Sequence, residues 1–247
     1  MLLFCGSSSI QQFALRDGGS IGRFAFTGAS MIGLVNDKST TGHGQIVRTL
    51  VKLPGTRQVV LLFGNVDLDF MYYRQCGQKG IFPIEDHFTR CITAYNRYIQ
   101  SLLDEAEESG NAISILVLAP QLTPLRDSVF TEVTARHARV QIGVIQALEG
   151  QMDLSHRERL ARTRRFNDRL EQEILPDPRV RLFRIDHAMV DADGALHERF
   201  YPPRVQDHHA TIQETFPLWR AALSQDLRIY ERFRPAPAEA PPIAAVA

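Results

Sequence analysis

The sequence predicts an α/β fold in which one parallel sheet of five strands carries helices on both faces. Two observations lead to this prediction: five short apolar runs bounded by glycine, proline or charge, and amphipathic helical patterns between them. Alternation of strands and helices favours right-handed crossovers and therefore a parallel sheet. The predicted strands cover residues 2–5, 23–27, 59–63, 113–119 and 180–185.

Helical periodicity is strongest between the third and fourth predicted strands. Apolar residues recur there at steps of four and three until Gly110 ends the segment: Phe88, Ile92, Tyr95, Ile99 and Leu102. A second helix is predicted to begin at Ser155 and to stop at Pro176. In the last apolar-periodic segment, Pro217 is expected to kink the helix or to restart it.

The length of 247 residues, with 44% apolar side chains, suits one large domain. We assign it to residues 1–230. The segment 231–247 is rich in proline and alanine and is predicted to be an unstructured tail. An insertion over residues 121–150, helical in pattern over 140–148, is predicted to help cover a ligand site.

The charge composition bears on which kinds of binding partner the sequence favours. Basic and acidic residues both number 28, so no net charge favours nucleic acid or a membrane. The arginine-rich segment 157–165 is predicted to be the solvated face of a helix rather than a phosphate-binding patch. The sequence shows neither a basic-then-apolar leader nor an apolar run long enough to span a bilayer. A cytoplasmic protein without cofactor or bound metal is expected.

Three cysteines, Cys5, Cys76 and Cys91, are too few and too scattered for a disulfide framework or a zinc knuckle. Cys5 lies in the first predicted strand, where a buried and inert thiol is expected.

The first candidate for chemistry is Ser8, which follows the first apolar run and Gly6. The carboxyl ends of strands in open α/β sheets are where these folds hold ligands. A helix that begins there would point free N–H groups at an anion. The alternative is that Ser7, Ser8 and Ser9 only cap a helix.

Further polar residues follow the second and third strands. Gly64, Asn65 and Asp67 come directly after the third strand, at the same predicted edge of the sheet as Ser8. A glycine turn with an aspartate cap would explain them equally well. Gly28, after the second strand, could offer a backbone N–H to an oxyanion, although it also suits an ordinary helix start.

Near the end of the chain stand Asp207, His208 and His209. Two imidazoles and a carboxylate are costly to bury unless they are paired. If either histidine reaches Ser8, it could accept the hydroxyl proton while Asp207 orients the ring.

In their order along the chain, these motifs resemble the SGNH/GDSL hydrolase superfamily. That family carries Gly-Asp-Ser after the first strand, a glycine after the second, Gly-x-Asn-Asp after the third and Asp-x-x-His before the last helix. The resemblance runs from residue 2 to about residue 227. It implies a flavodoxin-like, three-layer α/β/α sandwich of the SGNH hydrolase type.

The resemblance also implies roles for the matching residues. Ser8 corresponds to the nucleophile and Asp207 with His209 to the acid and base, with His208 as the alternative base. The oxyanion and substrate-binding positions fall on Gly28, Gly64, Asn65 and Asp67.

Three departures from the family pattern bear on activity. Ser7 replaces the motif aspartate, and one residue instead of two separates Asp207 from His209. Val66 stands where the family has an asparagine, and losing one such oxyanion donor costs about 3–4 kcal/mol. The adjacent Asn65 could compensate, but on a regular strand end its side chain would point the other way.

The leading hypothesis is a serine esterase or acyltransferase acting on a small acyl ester, with a glycan ester suggested by the resemblance alone. A second hypothesis, favoured by Ser7 and Val66, is a catalytically impaired relative that binds a ligand. A lesser alternative is a metal-dependent phosphoesterase, because Asp67 and Asp69 precede an Asp-His-His motif.

Overall fold

A computed structural model describes residues 1–13 and 21–227. The five strands are β1 (Leu2–Gly6), β2 (Ile21–Ala25), β3 (Gln58–Leu62), β4 (Ser114–Leu118) and β5 (Val180–Phe183). They form one all-parallel sheet in the order β2-β1-β3-β4-β5. This is the flavodoxin-like strand order, so the predicted fold class is confirmed.

The described chain contains eight α-helices: α1 (Met31–Leu34), α2 (His43–Val51), α3 (Tyr72–Lys79), α4 (Ile84–Glu108), α5 (Asp127–Ala138), α6 (Ile142–Gln146), α7 (His156–Glu173) and α8 (Ile212–Leu223). Short 3₁₀ helices lie at Ser8–Gln12, Asp186–Ala188 and Glu198–Phe200, and one π-helical turn at Asp67–Met71 leads into α3.

Both faces of the sheet are buried, as the continuous apolar character of the strands predicts. Leu3 and Cys5 face a core that α1, α2, α4 and α7 complete. Leu2 and Phe4 face a second core, to which α8 contributes the fully buried Trp219. Cys5 is fully buried as expected, and burial raises the pKa of its thiol.

The two strongest helix predictions are confirmed. All five periodic residues of α4 are buried, and Gly110 follows its end with a φ of +77°. The Ser155 side chain accepts the Glu158 N–H at 3.3 Å and so caps α7, which ends three residues before Pro176.

The arginine-rich segment differs from its prediction. Arg159 and Arg162 are only 3% and 5% exposed, so the prediction of a wholly solvated face is wrong for these two. Arg159 binds the Asp127 carboxylate at 2.8 Å, and Arg162 donates to the Tyr73 hydroxyl at 2.9 Å. Burial is tolerated because each guanidinium has a partner from another helix.

Three smaller predictions concern the second half of the chain. The helix expected over 140–148 is the shorter α6. Pro217 lies inside α8, which neither stops nor restarts there. The predicted tail at 231–247 lies outside the described residues, and the assignment of 1–230 as one domain stays a prediction. No helix of the described chain combines the length and the apolar character needed to cross a bilayer.

Candidate active site

The turn after β1 positions Ser8. The Ser7 N–H donates to the Leu62 carbonyl at 2.9 Å, which ties this turn to the end of β3. A Cβ at Gly6 would lie 2.4 Å from the same carbonyl oxygen, so only glycine fits there. Ser8 then begins a 3₁₀ helix with its side chain half-buried at the carboxyl edge of the sheet.

The histidine loop, residues 201–211, is fixed at its ends. The N–H of Thr211 donates to the Phe200 carbonyl and its hydroxyl to the Tyr201 carbonyl, both at 3.0 Å. Within the loop, the Asp207 N–H donates to the Arg204 carbonyl at 2.9 Å. These bonds hold a segment without regular secondary structure against the fixed start of α8.

The structure brings Ser8, His209 and Asp207 together. The Ser8 Oγ lies 2.8 Å from His209 Nε2, and His209 Nδ1 lies 2.8 Å from Asp207 Oδ1. The His209 backbone N–H donates to the same carboxylate oxygen at 2.9 Å. One intervening residue therefore suffices, because the tight turn lets a single oxygen accept both the ring and the backbone N–H.

The charge state of Asp207 suits this arrangement. Partial burial opposes ionisation, but the hydrogen bonds from the His209 ring and backbone outweigh it and lower the pKa of the carboxyl. An ionised Asp207 accepts a hydrogen bond from the protonated Nδ1 of His209, which leaves Nε2 as the acceptor that faces the Ser8 hydroxyl.

His209, and not the alternative base His208, makes the hydrogen bond to the Ser8 hydroxyl. The His208 ring packs among aromatic rings, with centroids 5.1 Å from Phe70, 4.3 Å from His137 and 3.9 Å from His209. Burial and then the nearby charges of His209 and His137 lower its pKa to about 3. His208 therefore stays neutral and contributes packing.

Gly28 and Val66 line one cavity with Ser8. Gly28 lies in the exposed bend after β2 with a φ of +74°, a backbone conformation that favours glycine. Val66 is 6% exposed and presents an apolar side chain, which offers no hydrogen-bond donor.

Gly64 and Asn65 serve the packing of the loop after β3. A Cβ at Gly64, whose φ is +113°, would lie 2.4 Å from the Pro120 ring. The Asn65 amide donates to the Gln121 carbonyl at 2.8 Å and accepts the Gln121 N–H at 3.3 Å. Its side chain thus ties β3 to the segment after β4.

Asp67 also points into the protein. Its carboxylate is fully buried and accepts the Met31 N–H at 2.7 Å, at the start of α1. Burial raises the pKa of this carboxyl to about 7. The expectation that Asp67 contacts substrate stays a prediction; in the fold, its carboxylate holds the loop after β2 through the Met31 N–H.

Two cavities meet at the Ser8–His209 pair. The smaller, of about 270 Å³, is lined by Asp207 and His209 together with glutamine, proline and hydroxyl side chains, among them Gln12, Gln121 and Pro202. The larger, of about 670 Å³, extends past Gly28 and Val66. There is therefore one cavity for each of the two substituents of an ester carbonyl held at Ser8.

Several residues lining these cavities were not found from the sequence. Gln121 and Gln12 bond to each other at 2.7 Å beside Ser8, yet no motif marks them. Arg136, His137 and Arg139 come from the insertion at 121–150, whose predicted role in covering the site was the available signal.

At the histidine loop, Asp207, His208 and His209 each have a potential metal-ligating atom, and these atoms lie within 4.8 Å of one another. Both ring nitrogens of His209 are already engaged, one with Ser8 and the other with Asp207. Asp67 and Asp69, which the phosphoesterase hypothesis needs, are buried.

In comparisons with known proteins, this chain matches solved structures but no family model or curated sequence. A solved structure from Streptococcus pneumonia, whose description provisionally names a platelet activating factor, has a TM-score of 0.54 and 14% sequence identity; the match covers 91% of this chain and 82% of that one. An extracellular lipase from Streptomyces rimosus has a TM-score of 0.32 and 15% identity, over 90% and 98% of the two chains. The chain therefore shares the α/β fold of the Streptococcus protein.

Proposed function

We propose that this protein is a serine hydrolase of the SGNH type that cleaves small acyl esters. The observation that carries the proposal is the continuous chain of hydrogen bonds from Ser8 through His209 to Asp207, each 2.8 Å long. These three side chains have the donor and acceptor order of a Ser-His-Asp triad. The resemblance of the sequence motifs to that family supports the same reading.

In the first half of the reaction, Ser8 Oγ attacks the ester carbonyl carbon while its proton passes to His209 Nε2. Ionised Asp207 stabilises the imidazolium that forms. The C–O bond to the alcohol then breaks, and the departing alkoxide takes the proton from Nε2. An acyl ester of Ser8 and a free alcohol result.

In the second half, a water molecule gives a proton to His209 Nε2 as its oxygen attacks the acyl carbon. The bond to Ser8 breaks, Oγ recovers the proton, and a carboxylic acid leaves. Another alcohol in place of water would give acyl transfer by the same steps.

The oxyanion of each tetrahedral intermediate needs donors. The Ser8 N–H opens a 3₁₀ helix, where first-turn N–H groups have no partner within the helix. The Gly28 N–H, from a residue that lines the larger cavity with Ser8, is the second donor that we propose. Val66 supplies none, so we expect slower turnover than a site with an amide there would have.

A serine-directed fluorophosphonate tests the nucleophile, because it phosphonylates an activated serine Oγ and releases fluoride. Intact-mass measurement should show one adduct on the wild type and none on Ser8→Ala. Ser128→Ala, which removes an exposed hydroxyl from the first turn of α5, serves as the matched control and should react like the wild type.

The same proteins are then assayed with p-nitrophenyl acetate. Loss of hydrolysis in Ser8→Ala, with unchanged circular dichroism, is the expected result. Equal hydrolysis by the wild type and Ser8→Ala would overturn the proposal. A folded wild type that neither reacts nor hydrolyses would favour the ligand-binding alternative suggested by Val66.

A further inference from the structure

The larger cavity beside Ser8 collects positive charge. Lys38 from the loop between α1 and α2, Arg74 from α3, and Arg136 and Arg139 from the end of α5 all line it. The acidic side chain in its lining is Asp67, which is fully buried and bonded to the Met31 N–H. Because the chain has no net charge, four cations around the larger cavity form a local excess of positive charge.

None of these four cations forms an ion pair within the described part of the chain. Elsewhere arginines pair with carboxylates, for example Arg126 with Glu198 at 2.7 Å and Arg184 with Asp168 at 2.7 Å. Unpaired cations of separate elements that face one cavity repel each other, so an anion in the cavity would relieve that repulsion.

Arg139 adds a backbone observation. It has a φ of +55° directly after α5, the position at which helices usually place glycine. Among the described residues it is the non-glycine residue with a positive φ. The favourable effect of a cation at a helix C-terminus explains Arg136 in part, but it does not require an arginine in this conformation.

The smaller cavity provides the contrast. Its lining contains the Asp207 carboxylate, glutamines, prolines and hydroxyl groups but no lysine or arginine. Both cavities include Ser8 and His209, so they differ in charge while sharing the reacting atoms.

We propose that the larger cavity binds an anionic group of the substrate, a carboxylate or a phosphate, and that the protein prefers anionic acyl esters to neutral ones. This inference rests on the proposed function for its ester and on the four cations for its anion. The neutral substituent of the carbonyl lies in the smaller cavity.

The test compares matched ester pairs. Mono-p-nitrophenyl glutarate against p-nitrophenyl pentanoate places a carboxylate on the acyl group, and 2-acetoxyethyl phosphate against 2-acetoxyethanol places a phosphate on the alcohol. We expect kcat/KM to favour the anionic member of at least one pair by about tenfold, and the preference to shrink as salt screens the charges. Which pair shows the preference identifies the anion and the side of the ester that carries it.

Variants connect the preference to the cavity. In Arg136→Gln/Arg139→Gln, the ratio of anionic to neutral kcat/KM should fall by about fivefold or more, the size expected for partly exposed charges. Arg157→Gln, an exposed arginine of α7 outside both cavities, should keep the wild-type ratio. Arg139→Gly should also lose preference while raising the melting temperature, because glycine accepts a positive φ without strain.

Calorimetry separates this inference from the proposed function. Glutarate or inorganic phosphate is titrated into Ser8→Ala with and without the two arginine substitutions. Binding that the substitutions abolish, without turnover of any ester by the wild type, would keep the anion site and overturn the hydrolase. Ser8-dependent turnover with equal rates for anionic and neutral esters would overturn the anion site alone. A protein that shows no anion binding and no ester turnover would overturn both the anion site and the hydrolase.

Discussion

The turns after β1 and β3 are neighbours in the sheet, and both are polar, yet their side chains serve different ends. After β1, Ser8 is half-buried at a cavity and contacts His209. After β3, Asn65 and Asp67 turn inward and bond to the backbone of other segments. Strand topology brings polar residues to one edge, but the path of each turn decides whether their side chains face a cavity or the protein interior.

The largest effect is expected from removing His209, the histidine that contacts Ser8 of the turn after β1. His209→Ala should lower kcat/KM for p-nitrophenyl acetate by about 10⁴-fold or more, because Ser8 loses its proton acceptor. His208→Phe should lose less than about tenfold, since the ring packing is kept. Exposed His187→Gln serves as the neutral control. A larger loss in His208→Phe than in His209→Ala would contradict the assignment.

A donor added to the turn after β3 should sharpen the comparison. Val66→Asn places an amide in the larger cavity beside Ser8 and Gly28. We expect kcat to rise by about tenfold, less than the roughly 10²–10³-fold of an optimally placed donor. Steady-state kinetics on p-nitrophenyl acetate measures this. A folded variant with a lower kcat would show that the position does not face the oxyanion.

The buried carboxyl of Asp67 should make the free energy of unfolding depend on pH. Burial raises the pKa of Asp67 from 3.8 to about 7 in the fold, so its protonated form stabilises the protein most below pH 3.8. That stability is lost as pH rises through about 7, at no more than about 1.4 kcal/mol per pH unit.

Urea denaturation between about pH 5 and pH 7 tests this, with Asp67→Asn expected to lose less unfolding free energy than the wild type over that range. Asp193→Asn, an exposed carboxylate in a turn, should follow the wild-type curve. Parallel curves for the wild type and Asp67→Asn would show that burial does not shift this group.

The smallest effect concerns the turn after β1 itself. Ser7 is 1% exposed, and its Oγ has no hydrogen-bond partner among the residues described. Ser7→Ala removes a buried, unsatisfied hydroxyl and should stabilise the protein by up to about 1 kcal/mol. A higher urea midpoint at an unchanged m-value is the expected signature. A marked loss of stability would mean that the hydroxyl is bonded in solution.

Much of the fold and part of the candidate site could be predicted from the sequence. The strands follow from short continuous apolar runs and α4 from helical periodicity, since both patterns depend on neighbours within a few residues. Ser8, at the end of the first strand, and His209, before the last helix, were placed by motif order. The inward orientation of Asn65 was anticipated from strand geometry, whereas that of Asp67 was not.

The failures share a cause. Arg159 and Arg162 look solvated in sequence because their partners, Asp127 and Tyr73, lie on distant helices. The cations of the larger cavity likewise come from three segments that no local pattern connects. Side chains whose environment is made by remote residues cannot be assigned from their own neighbourhood.

The sequence by itself determined the order of strands and helices and the residue types available at the edge of the sheet, because backbone propensity and apolar periodicity act over short distances. Only the tertiary structure decided which imidazole meets the hydroxyl and which carboxylate is buried. The bond between Ser8 and His209 joins residues 201 positions apart, and its length depends on how the histidine loop is anchored to α8 and the sheet edge.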